Sequence, residues 1–246
     1  MKAYDNLAPY YDEFMDFMEY DDEAKRIHSF LCEIGAKDVL DLGAGSGGHL
    51  IPLLRNGHTV DALDISAPML KVLEGKLQYQ GLKTHLFEGD MCNFHGGKPY
   101  DVIYAFGDTI HHLENDGDFE AFLTQSYDNL KSGGYLIFTW RRPDYFQEMA
   151  ELEKFYEDHG DDYLLWNVSY NGLKNAKMDY TAFILQSDGK FNKIEETHNL
   201  RVYKKGEVAK LSADAGFTTK QKMVKEFLAG ENDTEEFRII TLLQKP

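Results

Sequence analysis

The residues best suited to chemistry stand in one run, Val39-Leu40-Asp41-Leu42-Gly43-Ala44-Gly45-Ser46-Gly47-Gly48, where an apolar stretch enters a cluster of glycines. Lacking a Cβ, glycine lets a strand turn sharply into a helix and lets the backbone come close to a ligand. The string satisfies both GxGxG and GxGxxG, patterns that carry weight only when a strand precedes and a helix follows. Asp64 stands 21 residues after Gly43, at the end of the next apolar run. A carboxylate there accepts hydrogen bonds from both hydroxyls of a ribose. Asp90 and Met91 end the run after that, where an acid accepts from the exocyclic amine of adenine while a thioether packs on the ring. Together the three features describe a pocket for an adenosine-bearing ligand.

The elements that must position these residues follow from periodicity. DVLDL (38–42), TVDALD (59–64), THLFEG (84–89), YDVIYAF (100–106) and YLIFTW (135–140) read as strands. Helical patterns near 47–56, 66–80 and 118–131 alternate with them, the sign of βαβ units and a parallel sheet. Ser66 is placed to cap the second helix, with Pro68 in its first turn. Residues 4–34 read as two helices before the first strand, one with Leu7, Tyr11, Phe14 and Met18 on a face, the other with Ala24, Ile27, Leu31 and Ile34. After Trp140 a helix over about 143–158 leads to three antiparallel strands joined by Asn171-Gly172 and Ser187-Asp188-Gly189-Lys190. A helix over 205–215 stopped by Gly216, then FTTKQKMV and FRIITLLQ as two returning strands, complete the chain.

The fold class is therefore α/β: a doubly wound, mostly parallel seven-stranded sheet with an inserted small antiparallel sheet. Residues 1–35 form an N-terminal helical cap, 36–142 with 203–246 the ligand-binding core, and 143–202 the insertion. Trp140 and Arg141 end the fifth strand, at the carboxyl edge where open sheets bind substrates, and an arginine there grips an anionic group.

Composition narrows the function. Hydrophobic residues at 43% and charged residues at 28% match a chain that folds. Lys and Arg number 26 against 42 Asp and Glu, a formal charge of -16 that repels nucleic-acid backbones and anionic lipid. Cys32 and Cys92 show no paired spacing, so the expectation is two buried thiols, with no disulfide and no metal. No leader-like or membrane-spanning run is evident, and the expectation is a cytoplasmic protein, monomer or homodimer, without nucleic-acid or membrane partners.

With Leu130-Lys131-Ser132-Gly133-Gly134 before the fifth strand, the series Asp41/Gly43/Gly45/Gly47, Asp64 and Asp90-Met91 resembles the class I S-adenosylmethionine-dependent methyltransferases. The resemblance implies S-adenosylmethionine as cofactor, with Asp41 and the glycine loop around its methionine part, and Tyr4, Ala44, Ile65, Met69 and Phe106 completing the binding set. The opening Tyr4-x-x-Leu7-Ala8-x-x-Tyr11-Asp12 and the insertion are similar to bacterial small-molecule methyltransferases, including amino-sugar N,N-dimethyltransferases. In such relatives the insertion covers the active site and N-terminal tyrosines close over the cofactor. Tyr11 is thus a candidate at the reaction centre. His111 and His112 follow the fourth strand, where the methyl group should point, and are candidates for substrate contact or proton acceptance; several relatives carry Asn and Tyr there. The implied reaction is methylation of a small molecule, on nitrogen or oxygen, by in-line displacement. An NAD-dependent oxidoreductase and a catalytically silent S-adenosylmethionine-binding module are the alternatives, since Gly43, Gly45, Gly48 and Asp64 also suit a dinucleotide.

Overall fold

The computed structural model describes residues 2–18, 20–115, 117–152, 154–221, 223 and 238–246. Its centre is a seven-stranded sheet whose order is set by where the apolar runs pair. Strand β1 (Val39–Leu42) lies between β2 (Val60–Asp64) and β4 (Tyr100–Ala105), with β3 (Leu86–Glu88) outside β2. On the other side β5 (Leu130–Arg141) pairs parallel with β4 and antiparallel with β11 (Arg238–Gln244), which carries β10 (Thr218–Thr219) at the edge. The registers Val39↔Val60 and Val39↔Val102 place β1 at the point where the strand order reverses, and a crevice opens there at the carboxyl ends.

Alternation along each strand builds two cores. Leu40, Leu42, Ile103, Ala105, Leu136 and Phe138 face one layer, which contains Phe119, Phe122 and Leu123 of α5 (Asp118–Asn129) and Val208 of α7 (Lys205–Asp214). Val39, Val102, Tyr104 and Ile137 face the opposite layer. There they meet α2 (Tyr20–Ile34), α3 (Leu50–Arg55) and α4 (Ala67–Gln80). Ser66 caps α4 by accepting from Met69 N–H, and Pro68 occupies its first turn.

After α6 (Pro143–Glu151) the chain builds a separate antiparallel sheet, β6 (Phe155–His159), β7 (Asp162–Tyr170), β8 (Asn175–Leu185) and β9 (Phe191–Arg201). It has four strands where three are expected. The stretch read as the end of a helix turns at Gly160 and pairs with β7, and Phe155 stacks on Trp166 at 4.1 Å. That ring contact is made across strands, which local periodicity does not register.

Residues 4–18 also differ from the expected helix. Only a 3₁₀ turn, Ala8–Tyr10, and α1 (Tyr11–Phe14) form, because the segment is held by other parts of the chain instead of its own hydrogen-bond ladder. Leu7 and Phe14 pack on Leu164, Tyr180, Ala182 and Ile184 of the inserted sheet. Of FTTKQKMV, Thr218–Thr219 is strand, and residues 222 and 224 lie outside the described residues. Among the described residues no helix is long and apolar enough to cross a membrane.

Candidate active site

The glycine loop leaves β1 at Leu42 and is fastened across the end of β2, with Gly43 and Ala44 donating N–H to the carbonyl of Leu63 at 2.8 and 3.1 Å. A Cβ at Gly43 would collide with Thr109, so the loop and the segment after β4 approach this closely only around glycine. Gly45 takes φ +54° with open space where a Cβ would stand, and gives its N–H to Asp64 Oδ2 at 2.7 Å. The other carboxylate oxygen accepts from Ser66 N–H at 2.8 Å. Asp64 is buried at the strand tip, and burial raises its carboxyl pKa above the ordinary range. A carboxylate oxygen has two lone-pair sites, so each retains capacity for a ligand hydroxyl.

A cavity of about 400 Å³ lies over this loop. Tyr4, Gly43, Ala44, Gly45, Asp64 and Ile65 line it, as do Met69, Asp90, Met91 and Phe106. Asp41 and Gly47, expected in the same set, do not. Asp41 lies beneath the loop, where Tyr104 O–H donates to it at 2.9 Å and burial pushes its pKa up to about 8. Gly47 faces the side chains of Leu73 and Ile51, so its small size serves helix packing. Asp41 still belongs to the strand below the loop, and Gly47 is turned toward α3 and α4 between the lining residues Ser46 and Gly48.

The wall also contains Tyr20, Ser46, His49, Thr109 and Asp118, which the sequence reading did not single out. Ser46 and His49 adjoin the glycines and position alone could have marked them. Tyr20 carries no such signal; its ring packs against Gly48 and edge-on to His49 at 5.0 Å. His49 is paired through Nε2 with the buried Glu23 of α2, which also pairs with Arg238 of β11. Burial pushes the Glu23 carboxyl up, but His49 and Arg238 outweigh it and hold the pKa below the usual range.

The N-terminal segment roofs the cavity and is tied down on two sides. Toward the core, Lys2 Nζ meets the carbonyl of Ile65 and Glu88, Ser66 donates to Asp5 at 2.8 Å, and Asp12 takes Ser46 Oγ and Lys76. Toward the insertion, Glu196 of β9 accepts the backbone N–H of Tyr4 at 2.9 Å, Asn6 at 2.5 Å and Leu7 at 3.2 Å. Tyr4 itself sits at φ +64°, a strained backbone for a bulky residue. This conformation persists because contacts on both sides over-determine it.

A second cavity of about 150 Å³ adjoins the first, and Tyr4, Tyr11, Gly107 and His112 line both. Its far side is built by Tyr145 of α6, Glu157 of β6, Trp166 of β7 and Tyr180 of β8, with Asp108 and Arg141 below. Tyr11 meets Tyr4 edge-on at 5.1 Å, and burial raises both phenol pKa values, keeping them neutral. Burial, then the neighbouring His198, pushes His112 down to about 3, so its ring is neutral near pH 7.

His111 diverges from its neighbour. Its Nδ1 meets the carbonyl of Arg201 at 2.6 Å, and Nε2 accepts Arg141 N–H at 2.9 Å. With both ring nitrogens spent on backbone groups, His111 ties β5 to β9 and is not placed to accept a reacting proton, while its ring lines the second cavity beside His112, where the expected substrate contact is open to it. Trp140 likewise turns away: alternation along β5 sends it into the core with Leu136 and Phe138, and its N–H donates to Thr241 at 3.0 Å. Arg141 does reach the second cavity, held by Asp108 at 2.6 Å and lying over the ring of Tyr145. Burial raises the Asp108 carboxyl, but Arg141, Arg238 and His111 overcome this and keep it low. The thiols also depart from expectation, since Cys32 is exposed and Cys92 only partly buried. An α-helix turn leaves one face outward, and Cys32 lies on it.

Comparison with known proteins agrees with this geometry. The family described as "Methyltransferase domain" matches residues 39–134. An uncharacterized methyltransferase of Geobacillus thermodenitrificans (strain NG80-2) is 32% identical over 162 residues, covering 62% of this chain and 70% of that protein. A glycine/sarcosine N-methyltransferase of Halorhodospira halochloris is 33% identical over 141 residues, and the chain spans about half of it, 52%. The crystal structure of an S-adenosylmethionine-dependent methyltransferase from Clostridium acetobutylicum ATCC 824 superposes with a TM-score of 0.82 at 21% identity, over 99% of each chain. The buried strand-tip carboxylate and the open turn at Gly45 fit an adenosine-bearing sulfonium, and the chain belongs to the class I S-adenosylmethionine-dependent methyltransferases.

Proposed function

We propose that this methyltransferase acts on the nitrogen of a small amine held in the second cavity. The observation that carries the reading is the common wall of Tyr4, Tyr11, Gly107 and His112 between the two cavities. Such a wall lets a donor on one side and an acceptor on the other meet with water kept out. When bound in the larger cavity, S-adenosylmethionine supplies an electrophilic methyl group on a sulfonium.

The chain's residues do the rest. Asp64 accepts the ribose hydroxyls, Asp90 and Met91 hold the adenine side, and Gly43 to Gly45 with Phe106 enclose the methionine part. Tyr4, Ile65 and Met69 complete the enclosure. Residues 1–35 act as the cap, 36–142 with 203–246 as the cofactor domain, and 143–202 as the cover of the acceptor site.

Nitrogen is favoured over oxygen for two reasons. The acceptor cavity presents the Glu157 carboxylate and the rings of Tyr11, Tyr145, Trp166 and Tyr180, surroundings that attract a protonated amine, while Asp108 is paired with Arg141. A hydroxyl needs a base, and His112, pushed down to about 3, is far too weak to take its proton near pH 7. An amine drawn in as the ammonium gives up its proton to bulk water before the site closes, and the neutral amine then attacks without a base, oriented by His112 and Tyr11. The glycine/sarcosine activity named for the Halorhodospira protein, and the likeness to amino-sugar dimethyltransferases, point the same way. Transfer of radiolabelled methyl to a panel of small amines and matched alcohols tests this. Labelled amines are expected, and label appearing only in alcohols refutes the assignment to nitrogen.

A further inference from the structure

Away from both cavities, α2 carries His28 and Cys32 four residues apart, hence on one helix face. Across from them His58 follows Gly57 on the turn from α3 into β2, where its backbone N–H is fixed to the carbonyl of Leu53 at 3.1 Å. His28 Nδ1 and His58 Nε2 stand 2.8 Å apart, and Cys32 Sγ lies 3.8 to 3.9 Å from the His28 nitrogens. One ligand atom from each residue falls within 4.8 Å of the others. We propose that His28, Cys32 and His58 form a binding site for a borderline transition-metal ion of the zinc(II) type, its fourth position open to water.

Donor chemistry and spacing carry the proposal. Two imidazoles and a thiolate are a borderline-soft set, which suits zinc and disfavours magnesium and calcium. Tetrahedral bonding at about 2.0 Å to nitrogen and about 2.3 Å to sulfur sets ligand atoms roughly 3.3 to 3.6 Å apart. The two pairs that include His28 therefore need to change by about half an ångström, and the Cys32–His58 pair, within 4.8 Å, by at most roughly 1.5 Å, within the freedom of side chains on fixed backbones. Those backbones are fixed: Ile27 and Leu31 of α2 and Leu53 of α3 are buried in the same core. Cys32 is exposed and His28 and His58 half-buried, which gives an ion its path in. None of the three lines either cavity, so the site is a staple between α2 and the α3–β2 turn, and it stands or falls apart from the methyl-transfer reading.

The test uses the reduced, chelator-treated protein titrated with cobalt(II) and then zinc(II). Expected are one cobalt per chain with the visible bands of a tetrahedral site and a near-ultraviolet thiolate band, both displaced by zinc. Zinc at about a hundredfold over its Kd should raise Tm by roughly 5 °C, and magnesium should not. Cys32→Ser should abolish the thiolate band, and His58→Gln should weaken binding at least about tenfold, each with unchanged circular dichroism without metal. Octahedral cobalt spectra, or a zinc-dependent Tm shift equal in wild type and both variants, would overturn the proposal by placing the ion on the acidic surface.

Discussion

Glu196 offers the sharpest test of how the site is closed. It is buried on β9 and accepts three backbone N–H groups, from Tyr4, Asn6 and Leu7, at 2.9, 2.5 and 3.2 Å. Hydrogen bonds to a charged acceptor contribute about 1.5 to 3 kcal/mol each, but a segment that lifts away recovers water on every donor. For Glu196→Ala we expect a loss of about 2 to 4 kcal/mol in roof closure, or roughly 30- to 1000-fold in the closed population. Because Tyr4 is part of the cavity wall, apparent cofactor affinity should fall with the closed fraction. Calorimetric titration with S-adenosylmethionine reads the affinity, and amide hydrogen exchange over residues 2–18 reads the closure. Glu196→Gln keeps one acceptor oxygen and should lie between. Faster exchange with unchanged affinity would refute the link between roof and cofactor, and unchanged exchange would refute the restraint itself.

Further outcomes follow from the same contacts. Asp64→Ala should weaken S-adenosylmethionine binding by about 1.5 to 3 kcal/mol with the fold retained, measured by calorimetry and circular dichroism. His111→Ala, which removes the hydrogen bonds to the Arg141 N–H and the Arg201 carbonyl, should cost about 2 to 4 kcal/mol of stability by denaturant unfolding. His112→Ala should instead lower kcat for the amine with little change in Tm. Asp41, raised to about 8 in the fold from 3.8, favours its protonated form there, so its contribution to stability is full below 3.8 and lost as pH rises through about 8. Asp41→Asn should therefore melt higher than wild type at pH 8.5 and show no such advantage at pH 4, by thermal melts at the two values.

The parts of the site legible in the sequence are those whose geometry is local. A strand, four glycines and a helix are contiguous, and Asp64 and Asp90 each end an apolar run, so their place at the carboxyl edge follows from alternation and connection rules. Position within the loop is harder to read: Asp41 and Gly47 belong to the motif, yet Asp41 is engaged by Tyr104 and Gly47 by Leu73, residues far along the chain. Glu196, Glu23 and Arg238 could not be read at all, because each acts on residues about 190 to 215 positions away in the chain. The strand Phe155–His159 was missed for a related reason, since its partner across the turn supplies the stacking that stabilises it. For His111 and His112 the sequence could say only that neighbours diverge; that both line the second cavity while the ring nitrogens of His111 alone are held by Arg141 and Arg201 backbone groups is a tertiary fact.

Tyr4 belongs to the walls of both chambers, and a single strained segment covers them. Lifting of that segment would therefore open donor and acceptor sides together. On the proposed reading, an amine with room for two methyl groups would leave with each spent donor and be captured again, and a time course should show the singly methylated compound before the doubly methylated one.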